Sequence, residues 1–179
     1  MKGIVFTEFL EMVQAKFGFE MVDYIIESSD LKSKGAYTSI GTYDFGEMLQ
    51  LISHLSQKTT IPKETLIFEY GLYFFNYLEK AYPYIFEQYQ DPFSFLKSVE
   101  NHIHVQVRKI YPDAELPTFD VKEINSNQLE MIYYSKRALY KFAEALIQKT
   151  FEHYHKNCTV TLQMLKKDGT EVKFEIDHD

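Results

Sequence analysis

With 179 residues, 45% of them apolar and 25% charged, the chain has the balance of one soluble globular domain and not that of a disordered or membrane-spanning protein. A net charge of −7 repels phosphate backbones and argues against nucleic acid as a partner. The lone cysteine, Cys158, excludes an internal disulfide, and there is neither a signal peptide nor an apolar run approaching the roughly 18 residues of a membrane span, so the cytoplasm is the expected compartment.

Phe6, Phe9, Leu10, Val13 and Phe17 recur at helical spacing and predict an amphipathic opening helix that Gly18 ends. A short second helix carries Met21, Val22, Ile25 and Ile26 and gives way to a polar loop over 28–41. Asp44 and Glu47 have the spacing of a capping box for a third helix that buries Phe45, Met48, Leu49, Ile52 and Leu55. Pro62 opens a fourth, with Leu66, Ile67, Tyr70, Phe74 and Leu78 on its stripe, and Pro83 bounds it. Asp91 and Pro92 form an N-cap and first-turn pair for a helix expected to run unbroken to Tyr111, where Pro112 stops it.

Strand alternation follows at Phe119 and Val121 and, beyond a turn at 125–127, at Leu129, Met131 and Tyr133. Leu139, Phe142, Ala143, Leu146, Ile147 and Phe151 return to the helical period. Two β-prone runs, 159–165 and 171–176, flank Lys167-Asp168-Gly169, a specific hairpin signal. The expected fold is α+β: a helical N-terminal subdomain, 1–85, packed on a C-terminal subdomain, 86–179, with a four-stranded antiparallel sheet and helices, the whole forming one domain.

Three features bear on chemistry. Phe and Tyr number 15 and 14, enough to enclose something flat and apolar, although an aromatic-rich core needs no guest. In the helix from Pro92, His102 and His104 each lie roughly 100° from the centre of the apolar stripe, on opposite flanks. The neighbours of His104, among them Phe93, Val107 and Tyr111, are the more apolar, although Lys97 and Glu100 are near too, and alone it fits a half-buried structural histidine better than a metal ligand. Residues i and i+2 face apart on a helix, so the two do not form a joint site. His153, His155 and Cys158 lack a fourth zinc ligand at a convincing spacing. Tyr133, Ser135 and Arg137, two apart on an extended run, would project their donors to one side, where a carboxylate pair fits, though such triplets are usually ordinary strand ends. No phosphate loop, nucleophile elbow or zinc-protease helix is present, and no catalysis is expected.

The run Tyr133-Tyr134-Ser135-Lys136-Arg137 resembles the tyrosine-x-serine-x-arginine motif of the haem nitric oxide/oxygen binding (H-NOX) family, which includes the sensor part of soluble guanylate cyclase and stand-alone bacterial proteins. Met1-Lys2-Gly3, Tyr111-Pro112 seven residues after His104, and Pro117 thirteen residues after it match further landmarks, so the resemblance spans essentially the whole chain. It implies haem b between the two subdomains, with His104 as proximal iron ligand, Tyr133, Ser135 and Arg137 on the propionates, and Pro117 pressing on the macrocycle.

The resemblance also bears on the gas. Oxygen-binding members carry a distal tyrosine five residues after the motif arginine, and Phe142 stands there in this chain; Tyr140 points about 200° round the helix from it. Val5, Phe9, Phe74 and Leu146 correspond to other distal positions, and all are apolar. Dioxygen on ferrous haem gains from a hydrogen-bond donor that nitric oxide does not need, so nitric oxide and carbon monoxide are the expected ligands, with oxygen excluded. Nitric oxide would loosen the bond between iron and His104 and shift its helix. The expected signalling partner is a separate protein, such as a histidine kinase or a cyclic-di-GMP enzyme. The competing readings are a haem-free interaction domain and a haem enzyme; the apolar Phe9, Phe74 and Phe142 oppose the second.

Overall fold

In a computed structural model that describes residues 1–178, helix α1 (Gly3–Phe17) shows how the N-terminus is tied down. Its first amide groups have no partner within the helix. The carbonyls of Gly41 and Ser39 accept from Gly3 and Ile4 at 2.8 and 2.9 Å, so the loop over 28–41 caps it. A Cβ on Gly3 would stand 1.8 Å from the Thr38 carbonyl oxygen, so only glycine fits.

Gly18, at φ 87°, breaks α1 from α2 (Phe19–Glu27). Helix α3 (Phe45–Thr59) is capped by Asp44, which accepts from the Gly46 amide at 2.6 Å. The expected capping box is half formed: Glu47 turns inward, 5% exposed, and accepts from the hydroxyls of Ser33 and Tyr37 at 2.5 and 2.7 Å, pinning the preceding loop. Helix α4 spans Lys63–Ala81, with Pro62 at its N-cap. A four-residue helix, α5 (Pro83–Phe86), follows; the sequence did not suggest it, because one turn is too short to show a period. Phe6, Phe9, Met12, Ile25, Met48, Leu51, Leu55, Leu66 and Tyr70 make one core from these first four helices.

The helix expected from Pro92 to Tyr111 is divided. Helix α6 (Pro92–Lys97) leads into a π-helical turn (Val99–Ile103), and helix α7 (His104–Ile110) continues from it. The His104 amide reaches back to the Val99 carbonyl, five residues before it, and the extra residue in that turn rotates α7 out of the 3.6-residue stripe. Such turns occur often at functional sites.

Strands β1 (Thr118–Asn125), β2 (Gln128–Tyr134), β3 (Cys158–Met164) and β4 (Glu171–His178) form an antiparallel sheet in the order β1-β2-β4-β3. Both expected hairpins are present, β1 to β2 and β3 to β4, the second turning at Gly169 with φ 76°. Leu129, Met131 and Tyr133 of β2 and Val172, Phe174 and Ile176 of β4 point to one face, where Ala143, Ile147 and Phe151 of α8 (Tyr140–His153) and Phe93, Phe95 and Leu96 of α6 complete a second core.

Helix α8 also packs on α4, closely enough that Gly71 has no room for a side chain. A Cβ there would lie 2.6 Å from the Ala145 Cβ and 2.9 Å from the Phe142 carbonyl oxygen. Overpacking of this kind costs about 1–3 kcal/mol, against about 1 kcal/mol of helix propensity gained from alanine. Gly71→Ala is therefore expected to lower the melting temperature by a few degrees; a thermal denaturation curve with an unchanged or raised midpoint would contradict this contact.

Candidate functional site

Members of both cores line a cavity of about 310 Å³. Packed interiors rarely leave voids larger than a water molecule, so this space is not a packing defect. Its walls are mostly apolar, and a few polar groups converge on it: His104, Tyr133, Ser135 and Arg137, with Pro117 beside them. Apolar walls with a few placed polar groups are the composition of a small-molecule site.

His104 opens α7 and is 8% exposed. Its Nδ1 lies 2.9 Å from Oε1 of Glu100. A carboxylate can only accept, so Nδ1 carries the proton and Nε2 keeps a free lone pair, without a hydrogen-bond partner among the described residues. Burial lowers the pKa of His104 below the ordinary histidine value even though Glu100 pulls it up. A buried neutral imidazole with a bare nitrogen is the form that binds a metal. His102 turns elsewhere: its Nδ1 meets the Tyr89 hydroxyl and its Nε2 the Gln106 amide.

Tyr133, Ser135 and Arg137 do line one cavity, but by a different route from strand alternation. Strand β2 ends at Tyr134, and a turn closed by the Ala138 amide on the Ser135 carbonyl, with Ala138 at φ 52°, carries the rest. The Tyr133 hydroxyl accepts from the Leu139 amide at 2.8 Å and so keeps its own proton to donate. Burial raises its pKa, which holds it as a neutral phenol. Arg137 grips the Glu115 side chain at 2.5 Å and the Glu115 carbonyl at 3.0 Å. That side chain is 81% exposed, so this carboxylate is weakly held and another can replace it.

Of the apolar positions expected near a bound gas, Val5, Phe74, Phe142 and Leu146 line the cavity. Phe9 does not: fully buried, it packs edge-on against Tyr70, which lines the cavity in its stead. The Phe142 ring sits 5.3 Å from that of Tyr70 and 5.5 Å from that of Phe74. Tyr140 is outside the wall and lies over Gly169.

Several phenols not expected at the site also line the cavity, and their hydroxyls are engaged. Tyr70 donates to the Val5 carbonyl at 2.6 Å, while the Tyr82 and Tyr111 hydroxyls meet at 3.1 Å. Beside them Tyr77, its pKa pushed up to about 12 by burial and by Tyr82, stays a neutral phenol. Tyr111 was marked by the resemblance as part of Tyr111-Pro112, whereas Tyr70 showed only a place on an apolar stripe, which predicts burial and not what it surrounds.

Among the described residues no three histidine, cysteine or acidic side chains gather as a metal site; His153 pairs with Glu79 at 2.5 Å. No helix is long and apolar enough to cross a membrane.

A family model described as haem-NO-binding matches residues 2–162. An H-NOX protein of K. algicida, solved as the unliganded Fe(II) form, is 54% identical with a TM-score of 0.97, the match covering 100% of this chain and 97% of that one. The H-NOX of Shewanella woodyi, solved with IWP-051 in the Fe(II)CO state, is 36% identical with a TM-score of 0.85, covering 100% and 95%. An S. oneidensis H-NOX in the Fe(II)NO state is 23% identical with a TM-score of 0.92 over 100% and 99%, a likeness of fold alone. No curated protein matches the chain.

Proposed function

The chain belongs to the haem-NO-binding (H-NOX) family of haem-based gas sensors, and from that premise we propose that it is a cytoplasmic sensor of nitric oxide, which also takes carbon monoxide and excludes oxygen. One observation carries the reading: the bare Nε2 of a buried neutral imidazole and a guanidinium already holding a carboxylate belong to the same largely apolar cavity. Haem b asks for those groups together, a nitrogen to hold the iron and a cationic fork for the propionates.

When bound, ferrous haem supplies the iron that takes a diatomic gas. His104 would hold that iron. Arg137, with Tyr133 and Ser135 as hydroxyl donors, would take the propionates, Glu115 giving up its place. Pro117, which lines the same cavity as His104, would press on the macrocycle. Val5, Phe74, Phe142 and Leu146, with Phe9 behind Tyr70, would keep the gas side free of water and of donors. Because His104 is the first residue of α7, a change in the pull on its ring is a pull on that helix and on the π turn before it. A separate partner, such as a histidine kinase or a cyclic-di-GMP enzyme, would read that movement if it binds the two positions with different affinity. The chain itself performs no catalysis in this account.

Haem titration tests the carboxylate site. A hydrogen bond to a charged group contributes about 1.5–3 kcal/mol, so Arg137→Met is expected to weaken haem binding about 10–100-fold. Equal affinity in the two proteins would remove Arg137 from the site. Output of the partner that is identical with and without nitric oxide would defeat the signalling reading.

A further inference from the structure

We propose that Glu100 is a positioning residue for the imidazole of His104, its negative charge setting how strongly that ring donates to the iron. The inference rests on the haem reading above and deepens it. Both carboxylate oxygens of Glu100 are committed. Oε1 accepts from His104 Nδ1 at 2.9 Å and Oε2 accepts from the Phe119 amide at 3.0 Å. One side chain thus ties the ring to the start of β1, two residues beyond Pro117, while the Phe119 ring lies 6.0 Å from that of His104.

The π turn supports this arrangement. Glu100 lies inside it, and the His104 amide bonds to Val99 and not to Glu100, as an unbroken α-helix would have it. The side chain, rather than the backbone, therefore links residue 100 to residue 104. Glu100 is half-buried, its side chain 24% exposed against 10% for His104, so solvent screens the pair only in part.

An acceptor on the second ring nitrogen fixes the tautomer and orientation of a ligating imidazole, and a charged acceptor also makes the ring more basic. With the Glu100 carboxylate on Nδ1, Nε2 is a stronger donor than the same ring held by a neutral carbonyl would be. With haem bound, the bond from His104 to iron would then be stiffer and the ferric state relatively favoured. Glu100→Gln removes the charge while nearly keeping the shape; Glu100→Asp keeps the charge on a shorter arm.

The test compares wild type, E100Q and E100D loaded with haem, reading the iron–histidine stretching frequency by resonance Raman and the ferric/ferrous midpoint potential. In E100Q the frequency is expected to fall, the potential to rise and haem loss to accelerate by about 10–100-fold, with E100D returning the first two towards wild type. A frequency and potential in E100Q equal to wild type would overturn the proposal. So would an equal shift in E100D and E100Q, since a merely structural contact would be disturbed by both. Should the variants fail to fold, the wild-type carbon monoxide complex decides: a His104 Nδ1–H proton resonance at the low-field position of a carboxylate-bonded imidazole supports the assignment, and an ordinary position overturns it. Wild type that takes up no haem would instead sink the underlying haem reading, whereas haem held by His104 with an unaltered E100Q sinks only this inference.

Discussion

The His104→Gly protein, reconstituted with haem and reduced, is expected to lose the five-coordinate ferrous spectrum entirely and to regain it when imidazole is added. His104 is the only histidine lining the cavity among the described residues. Of the others in this half of the chain, His102 is held by Tyr89 and Gln106, His153 by Glu79, His178 lies against Phe93, and His155, like them, is not part of the cavity wall. No second ring stands ready to take over. Glycine at the start of α7 costs about 0.5–1 kcal/mol in helix stability, too little to unfold a domain with two extensive cores. The space vacated by the ring fits free imidazole, and Glu100 is left with an acceptor oxygen to orient it. A wild-type spectrum without added imidazole would mean that another group holds the iron.

Phe142→Tyr is expected to create the oxygen complex that the proposed function denies to the wild type. The ring at 142 lines the cavity between Tyr70 and Phe74, and neither neighbour offers the gas a free donor: Tyr70 spends its proton on Val5, and Phe74 has none. A new hydroxyl among them would find few competing acceptors. Hydrogen bonds to a charged partner are worth about 1.5–3 kcal/mol, so oxygen affinity should rise about 10–100-fold while nitric oxide affinity changes little. Equal oxygen affinity in the two proteins would show that position 142 does not address the gas.

The sequence carried much of this architecture because local pattern and tertiary structure agree. The stripes of α1, α3 and α4 face the first core, and Asp168-Gly169 turns the β3 to β4 hairpin where that dipeptide predicts. Where reading failed, the cause is specific. A π turn inserts a residue that a 3.6 period cannot encode, so the helix bearing His104 looked continuous and Glu100 looked like a polar neighbour. The one signal available was a carboxylate four residues before the histidine, a spacing also common in surface ion pairs. Glu47 misled for the opposite reason: its spacing from Asp44 suits a capping box, and only the packed loop with Ser33 and Tyr37 turns it inward. Tyr133, Ser135 and Arg137 do meet at the cavity, but the chain turns after Tyr134, so strand alternation gave a wrong reason for their convergence. Phe9 was one layer too deep, since helical register alone cannot separate a cavity wall from the layer that supports it.

The central claim, that this cavity holds haem through His104 and distinguishes nitric oxide from oxygen, is tested most directly by absorption spectra of the reduced, haem-loaded protein under inert gas, in air and with nitric oxide. The account predicts a five-coordinate ferrous spectrum that air leaves without a stable new species and nitric oxide shifts at once. A stable oxygen spectrum in air would contradict the donor-free wall around Phe142, and no haem spectrum at all would return the chain to a protein interaction domain.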